Sequence, residues 1–215
     1  MYVPPAFELR DPDAIRDIAD RYGFALLVTC EGGVPAATHL PLLYDPRPAP
    51  HGRLLGHLAR ANGQARQLEA AMRDGREVLA VFQGPHAYVS PTDYGPGPAV
   101  VPTWNYQAVH VYGVPRLMTA AEEVRGLLDR LTARHEASRS PAWSPAALDP
   151  ELLRRMLGGI QAFEIAVTRV QAAAKLSQNR TPAQAAHAAA RLEASDDPLA
   201  RETGRRMRAA PEARS

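Results

Sequence analysis

The sequence predicts an α+β fold in which mostly antiparallel strands curl into a barrel, with flanking helices and a helical C-terminus. Three observations predict it. Seven short apolar or alternating segments read as strands, at residues 24–30, 34–44, 53–58, 77–83, 87–90, 104–117 and 162–170. The helical segments between them follow no regular strand–helix alternation, which argues against a doubly wound parallel sheet and for a curled antiparallel one. From residue 182 two helices follow, at 182–194 and 198–209.

Each element has its own signal. Asp11-Pro12-Asp13 followed by Ile15, Ile18, Ala19 and Tyr22, with Gly23 behind them, reads as a capped helix. The period then changes to strand, and Glu31-Gly32-Gly33 closes a hairpin between residues 24–30 and 34–44. Residues 45–52 carry three prolines and a glycine and form a surface connection before the third strand. Helical spacing returns at 62–72, with Asn62 as the expected N-cap and Asp74-Gly75 as the stop. Two strands and a Pro/Gly-rich loop at 92–102 lead into the long strand 104–117, which should bend at Gly113-Val114-Pro115. The helix 120–136 aligns Val124, Leu127, Leu128 and Leu131 on one face. Asp149-Pro150 caps a short helix ending at Gly158-Gly159, and the last strand follows at 162–170. Two Ala/Arg-rich helices, 182–194 and 198–209, are broken at Ser195-Asp196-Asp197.

With 215 residues, 46% of them hydrophobic, the chain suits one domain with a sizeable core. The expected division is a barrel at 1–180 with residues 181–215 as a helical extension of the same domain, frayed at its tail. No apolar run approaches the length that spans a bilayer, and Met1-Tyr2-Val3-Pro4-Pro5 shows no basic segment followed by an apolar one, so the expectation is a cytoplasmic protein without membrane partners. The single cysteine, Cys30, excludes an intrachain disulfide or cysteine-rich zinc site, and its place at the end of an apolar run reads as a buried, inert thiol. His51, His86, His110, His135 and His187 are scattered without metal-ligand spacing, so no metal site is expected. Nor does any nucleophile–base motif appear, and no catalytic residue is assigned. Net charge is only +2, so nucleic-acid binding would need a local patch.

Three stretches carry candidate chemistry. Gly56 to Gln64 runs from a strand into a helix start, where unpaired N–H groups and the helix dipole favour an anion beside His57 and Arg60; a capped helix with a solvated arginine is the alternative. Val101 to Gly113 interleaves hydrogen-bonding groups with large aromatics, which suits either a flat heteroaromatic ligand or an aromatic-rich barrel strand. Lys175-Leu176-Ser177-Gln178-Asn179-Arg180 gathers polar groups where the last strand gives way to a helix, as a ligand contact or as a plain connection. Lys175 is the only lysine of the chain, a compact point charge where all other cations of its kind are arginine.

Five blocks in order and register, His39-Leu40-Pro41-Leu42-Leu43, Gly56 to Asn62, Phe82 to Pro91, Val101 to Gly113 and Lys175 to Asn179, resemble the signature blocks of the PaiB family of FMN-binding negative transcriptional regulators. The resemblance runs from residue 1 to about 192 and implies a split-barrel flavin-binding fold with FMN between two subunits of a homodimer. It implies that the turn from Arg60 through Asn62 to Gln64, beside His57, holds the phosphate, and that His39 and the block Thr103, Trp104, Asn105, Tyr106 flank the ring. Lys175, Ser177, Gln178 and Asn179 would supply donors to the ring edge or the phosphate. Two positions depart from the pattern: the loop Tyr94 to Ala99 lacks a lysine common in the family, and Ala174 stands where a tryptophan is common.

The function implied is FMN-dependent negative regulation of transcription, acting indirectly. A flavin-dependent oxidoreductase or flavin reductase is the alternative, because the same fold carries both. A third reading makes Arg201, Arg205, Arg206 and Arg208 a DNA-binding helix; the nearly all-alanine apolar face of the last two helices promises little to hold them at a fixed angle, so a solvated terminal helix is expected instead and direct nucleic-acid binding is not.

Overall fold

Asp11 stays extended and its carboxylate accepts the Asp13 N–H at 3.0 Å, Pro12 fills the first turn, and α1 runs Pro12–Arg21. The computed structural model to which this helix belongs describes residues 1–48, 50–97 and 99–210. Strands β1 (Phe24–Glu31) and β2 (Val34–Asp45) pair in register Leu26 to His39, and the two residues joining them, Gly32 at φ 58° and Gly33 at φ 80°, hold the left-handed conformation that a two-residue hairpin requires. There follow β3 (Arg53–Ala59), α2 (Gln64–Arg73), β4 (Val78–Val89), β5 (Thr103–Met118), α3 (Ala121–Glu136), α4 (Pro150–Gly158), β6 (Ile160–Lys175), α5 (Pro182–Glu193) and α6 (Pro198–Ala209). The strand order β1-β2-β3-β6-β5-β4 closes on itself as a barrel. No helix among the described residues is long and apolar enough to cross a membrane.

Among the described residues six strands stand where seven were expected, because residues 77–83 and 87–90 belong to one strand, β4. Gly84 interrupts the apolar pattern for a packing reason: a Cβ there would lie 3.0 Å from both the Cβ and the carbonyl oxygen of Gln107. The last strand is also longer than 162–170. Its extension, through Ala172, Ala173 and Ala174, carries a run of alanine with poor strand propensity that hides it from pattern reading. Cys30 is exposed rather than buried, since β1 turns Ala25, Leu27 and Thr29 inward and leaves the even-numbered positions on the other face. The tail expected to fray includes residues 211–215, which lie outside the described residues.

The chain forms two compact units, and β4, β5 and β6 each contribute to both. One unit comprises residues 23–82 and 111–170. Its core includes Leu27, Leu54, Leu68, Phe82 and Phe163, all fully buried. The stripe of α3 lies on this core as its spacing requires: Leu127 and Leu131 are buried, and Val124 and Leu128 pack partly, against Leu43, Leu55, Met118 and Ala162.

The same unit carries an ion-pair network. Arg53 reaches Asp45 at 3.4 Å and Glu164 at 3.0 Å, Arg130 reaches Asp45 at 3.2 Å, and Arg116 joins Glu164 and Glu123, each at 2.8 Å. At Asp45, burial acts to raise the pKa, but the Arg47 N–H and the charges of Arg130 and Arg53 together outweigh it and hold the carboxyl below its usual value. At Glu164 the hydrogen bond from Arg116 dominates and the shift is again downward. Burial also pulls His57 below the ordinary histidine value. In all three the unfolded chain binds protons more readily than the folded one, so stability falls as pH falls. Thermal unfolding should therefore begin to shift downward as pH drops below 6.5, the unfolded value for His57, and should fall more steeply near the unfolded carboxyl values of 4.5 and 3.8. A melting temperature constant from pH 7 to pH 3 would contradict this assignment.

The other unit comprises residues 1–22, 83–110 and 171–215. Here α5 and α6 are both seated on a core, contrary to the expectation of a solvated terminal helix. Ala188, Ala189 and Leu192 of α5 and Ala200 and Met207 of α6 are buried with Ala87, Val89, Tyr94, Ala174 and Leu176. Small residues are what allow this, because a Cβ on Gly204 would come within 2.7 Å of the Ala189 carbonyl oxygen. The α6 arginines are also engaged. Arg206 pairs with Asp17 and Glu202, both at 2.9 Å, Arg205 with Glu202 at 3.2 Å, and Arg208 with Glu193 at 2.7 Å, while Arg201 donates to the Ser195 carbonyl at 2.7 Å.

Candidate functional site

The candidate residues fall into two groups, one in each unit. In the unit built on residues 23–82 and 111–170, the start of α2 is organised by Asn62, whose Oδ1 accepts the Gln64 N–H at 3.0 Å and whose Nδ2 donates to Thr38 Oγ1 at 3.0 Å. Gln64 is buried, and its Nε2 donates to the Leu27 and Ala36 carbonyls and to Thr29 Oγ1 at 2.9–3.2 Å, so it ties α2 to β1 and β2. Its Oε1 has no hydrogen-bond partner.

Arg60 has a structural duty that its sequence context did not suggest. Its Nε and Nη2 donate to the Gly158 and Ile160 carbonyls at 3.2 and 2.9 Å, and its Nη1 to Gln161 Oε1 at 3.2 Å. Three of the five guanidinium N–H groups are thus occupied, which fixes an exposed side chain in place and leaves two donors. His57 sits on β3 opposite Ala162, with Nδ1 buried and unpartnered. His39 is exposed on β2 and stacks on Phe24, ring centroids 6.0 Å apart at 25°; Phe24 is itself 70% exposed.

In the other unit, β5 alternates with Asn105 and Gln107 buried and Thr103, Trp104 and Tyr106 more accessible. Lys175 donates to Thr103 Oγ1, and its ammonium lies 5.8 Å from the Phe7 ring centroid. Burial, and then the charge of Arg180, lower the Lys175 pKa. Ser177 adopts φ 68°, a costly conformation for a residue with a side chain, and its hydroxyl meets Tyr94 OH at 2.9 Å and accepts from Asn105 Nδ2 at 2.8 Å. Asn105 Oδ1 is left without a partner. Gln178 is engaged in its own turn, accepting the Leu176 N–H at 2.7 Å and donating to the Ala174 carbonyl at 2.6 Å, and Asn179 is exposed. Trp104 is 54% exposed, with Tyr88 edge-on at 6.1 Å and His86 tilted at 6.2 Å.

Sequence reasoning did not single out Phe24, Tyr88 or Arg191, which share these surfaces. Their signal was weak, because exposed aromatics become informative only when the fold shows that they are exposed.

Each unit carries groups of the kinds that FMN needs. In the unit of residues 23–82 and 111–170, the two remaining N–H groups of Arg60 suit an anion and the Phe24–His39 stack offers a flat exposed face; in the other unit, Lys175 is a cation and Trp104 an exposed aromatic face. Fold and donor set together define a flavin-binding split-barrel protein.

The comparisons with known proteins agree. The family described as "Putative FMN-binding domain" matches residues 1–169. The chain is 37% identical over 207 residues to the protease synthase and sporulation protein PAI 2 of Bacillus subtilis, covering 96% of each protein. It is 33% identical over 178 residues to an uncharacterized protein of Emericella nidulans, covering 66% of this chain and 68% of that one. Among solved structures it shares its fold with the FAD and heme binding protein from Mycobacterium smegmatis, at TM-score 0.58 and 16% identity over 78% of this chain and 73% of the other. The flavocytochrome Anf3 from Azotobacter vinelandii matches with TM-score 0.58 and 12% identity, over 78% and 69%. The chain belongs to the PaiB family of FMN-binding proteins, and FMN is its cofactor.

Proposed function

We propose that this protein is an FMN-dependent negative regulator of transcription that acts without contacting DNA itself, and that two copies of the chain together hold the cofactor. The observation that carries the indirect reading is the engagement of the α6 arginines: Arg205, Arg206 and Arg208 are in ion pairs and Arg201 serves a backbone carbonyl, so the helix offers few unopposed cations to a phosphate backbone. The similarity to the sporulation protein of Bacillus subtilis over nearly the full length supports the regulatory reading.

FMN supplies an isoalloxazine ring able to take up and release electrons. In this reading Arg60 turns its two remaining N–H groups to the phosphate, helped by the dipole of α2. The Phe24–His39 stack presents an aromatic face to the ring.

Gel-shift titration of the purified protein against promoter fragments tests the indirect mode, and the expected outcome is no tight complex at low salt. Tight binding that weakens steeply with added salt would overturn it. Anaerobic addition of NADH or NADPH separates the regulator from an oxidoreductase: the flavin absorbance should persist, whereas rapid bleaching would favour the flavin reductase alternative.

A further inference from the structure

Beside Trp104, within the unit that contains α5 and α6, lies a cavity of about 510 Å³, a volume typical of small-molecule sites. One wall is aromatic. Trp104 and Tyr88 meet edge-on at 70° and stay 54% and 50% exposed, and the imidazole of His86 leans against the indole at 38°. Large aromatic faces left open in this way favour a flat ring as occupant. The floor is apolar, formed by the buried residues Leu192 and Ala200.

The remaining wall is polar and nearly balanced in charge. Asp93 Oδ2 accepts the Ser90 N–H at 2.8 Å, whereas Oδ1 lies 3.8 Å from Arg191 Nε, an ion pair too long for a hydrogen bond. A donor fork and an acceptor oxygen therefore stand side by side, each with capacity left. Asp197 also lines the cavity and accepts the Leu199 N–H at 2.9 Å as the cap of α6. A free anion would face two carboxylates and a free cation would face the guanidinium. A neutral group that both accepts and donates meets neither penalty.

We propose that this cavity binds a planar aromatic carboxamide, with its ring on Trp104, its carbonyl oxygen accepting from Arg191 and its amide N–H donating to Asp93. The inference does not rest on the flavin reading: every residue it uses lies in one unit, and the groups given to FMN, Arg60 and the Phe24–His39 stack, belong to the other.

Benzamide, benzoate and benzamidinium have nearly the same shape and carry no charge, a negative charge and a positive charge, so they separate stacking from charge. Trp104 and Trp143 are the two tryptophans of the chain, and Trp143→Phe leaves Trp104 as the reporter. Titrating the flavin-free full-length variant, benzamide is expected to quench Trp104 fluorescence saturably and to bind about fivefold or more tighter than benzoate or benzamidinium, the scale of one net hydrogen bond. Arg191→Met in the same background should weaken benzamide by about fivefold with an unchanged circular dichroism spectrum. Linear rather than saturable quenching, tighter binding of either charged analogue, or indifference to Arg191→Met would each overturn the proposal. Repeating the titration with FMN present should leave benzamide binding intact; mutual exclusion would show that the cavity belongs to the flavin and would overturn it as well. A failure to bind FMN in the same preparation, with benzamide binding retained, would count against the flavin reading alone.

Discussion

Replacing Gly113 with alanine is expected to destabilise the protein by about 3 kcal/mol or more, read as a loss in the free energy of denaturant unfolding. The reason is steric, and its closest clash is with backbone. A Cβ at position 113 would sit 2.2 Å from the carbonyl oxygen of Ala166 and 2.7 Å from Ile165 Cγ2, and the first of these cannot move without shifting β6. Gly113 thus lets β5 and β6 approach where a side chain would hold them apart. Gly126 supplies the internal control. It lies in the middle of α3 with nothing within 4 Å of its would-be Cβ, so Gly126→Ala should stabilise by about 0.5–1 kcal/mol through the lower helical cost of alanine. A mild effect at Gly113 would contradict the close strand contact.

The second large effect concerns the cofactor. Arg60→Ala should lower FMN affinity by roughly 1.5–3 kcal/mol, about 10- to 150-fold, the scale of a charge-assisted hydrogen bond lost from a phosphate. Arg60 also binds the Gly158 and Ile160 carbonyls, so the same substitution should reduce thermal stability. His39→Ala separates the two roles, because His39 is exposed on β2, in the same unit as Arg60, and stacks on Phe24. It should weaken FMN while leaving unfolding close to that of the parent. The flavin assignment would be contradicted by an FMN affinity indifferent to both substitutions.

Much of the fold was legible because its signals are local. Asp11-Pro12, the Gly32-Gly33 hairpin, the α3 stripe and Asp149-Pro150 each set their element with residues a few positions apart. What escaped reading depends on contacts distant in sequence. Gly84 looks like a break until Gln107 is seen against it, and the alanines of α5 look like a weak face until Gly204 is seen beneath Ala189. The extension of β6 through Ala172 to Ala174 is held by its neighbours and not by its own propensity.

The candidate site divides along the same line. The α2 start was visible through Asn62 to within one residue: the N-cap is Gly63, not Asn62 as expected, and Asn62 instead accepts the Gln64 N–H from just before it. The duty of Arg60 was not, because its acceptors lie 98–101 residues further along the chain. The cavity beside Trp104 was equally hidden, since it joins Tyr88 and Asp93 to Arg191 and no motif spans that separation.

The central proposal is that two copies of this chain together bind riboflavin phosphate, with Arg60 on the phosphate. Analytical ultracentrifugation with absorption detection at flavin wavelengths tests it most directly. The account predicts that, on titration, flavin absorbance saturates and sediments with a species of twice the 23.3 kDa chain mass. Flavin that stays at the meniscus while the protein sediments as a monomer would contradict it.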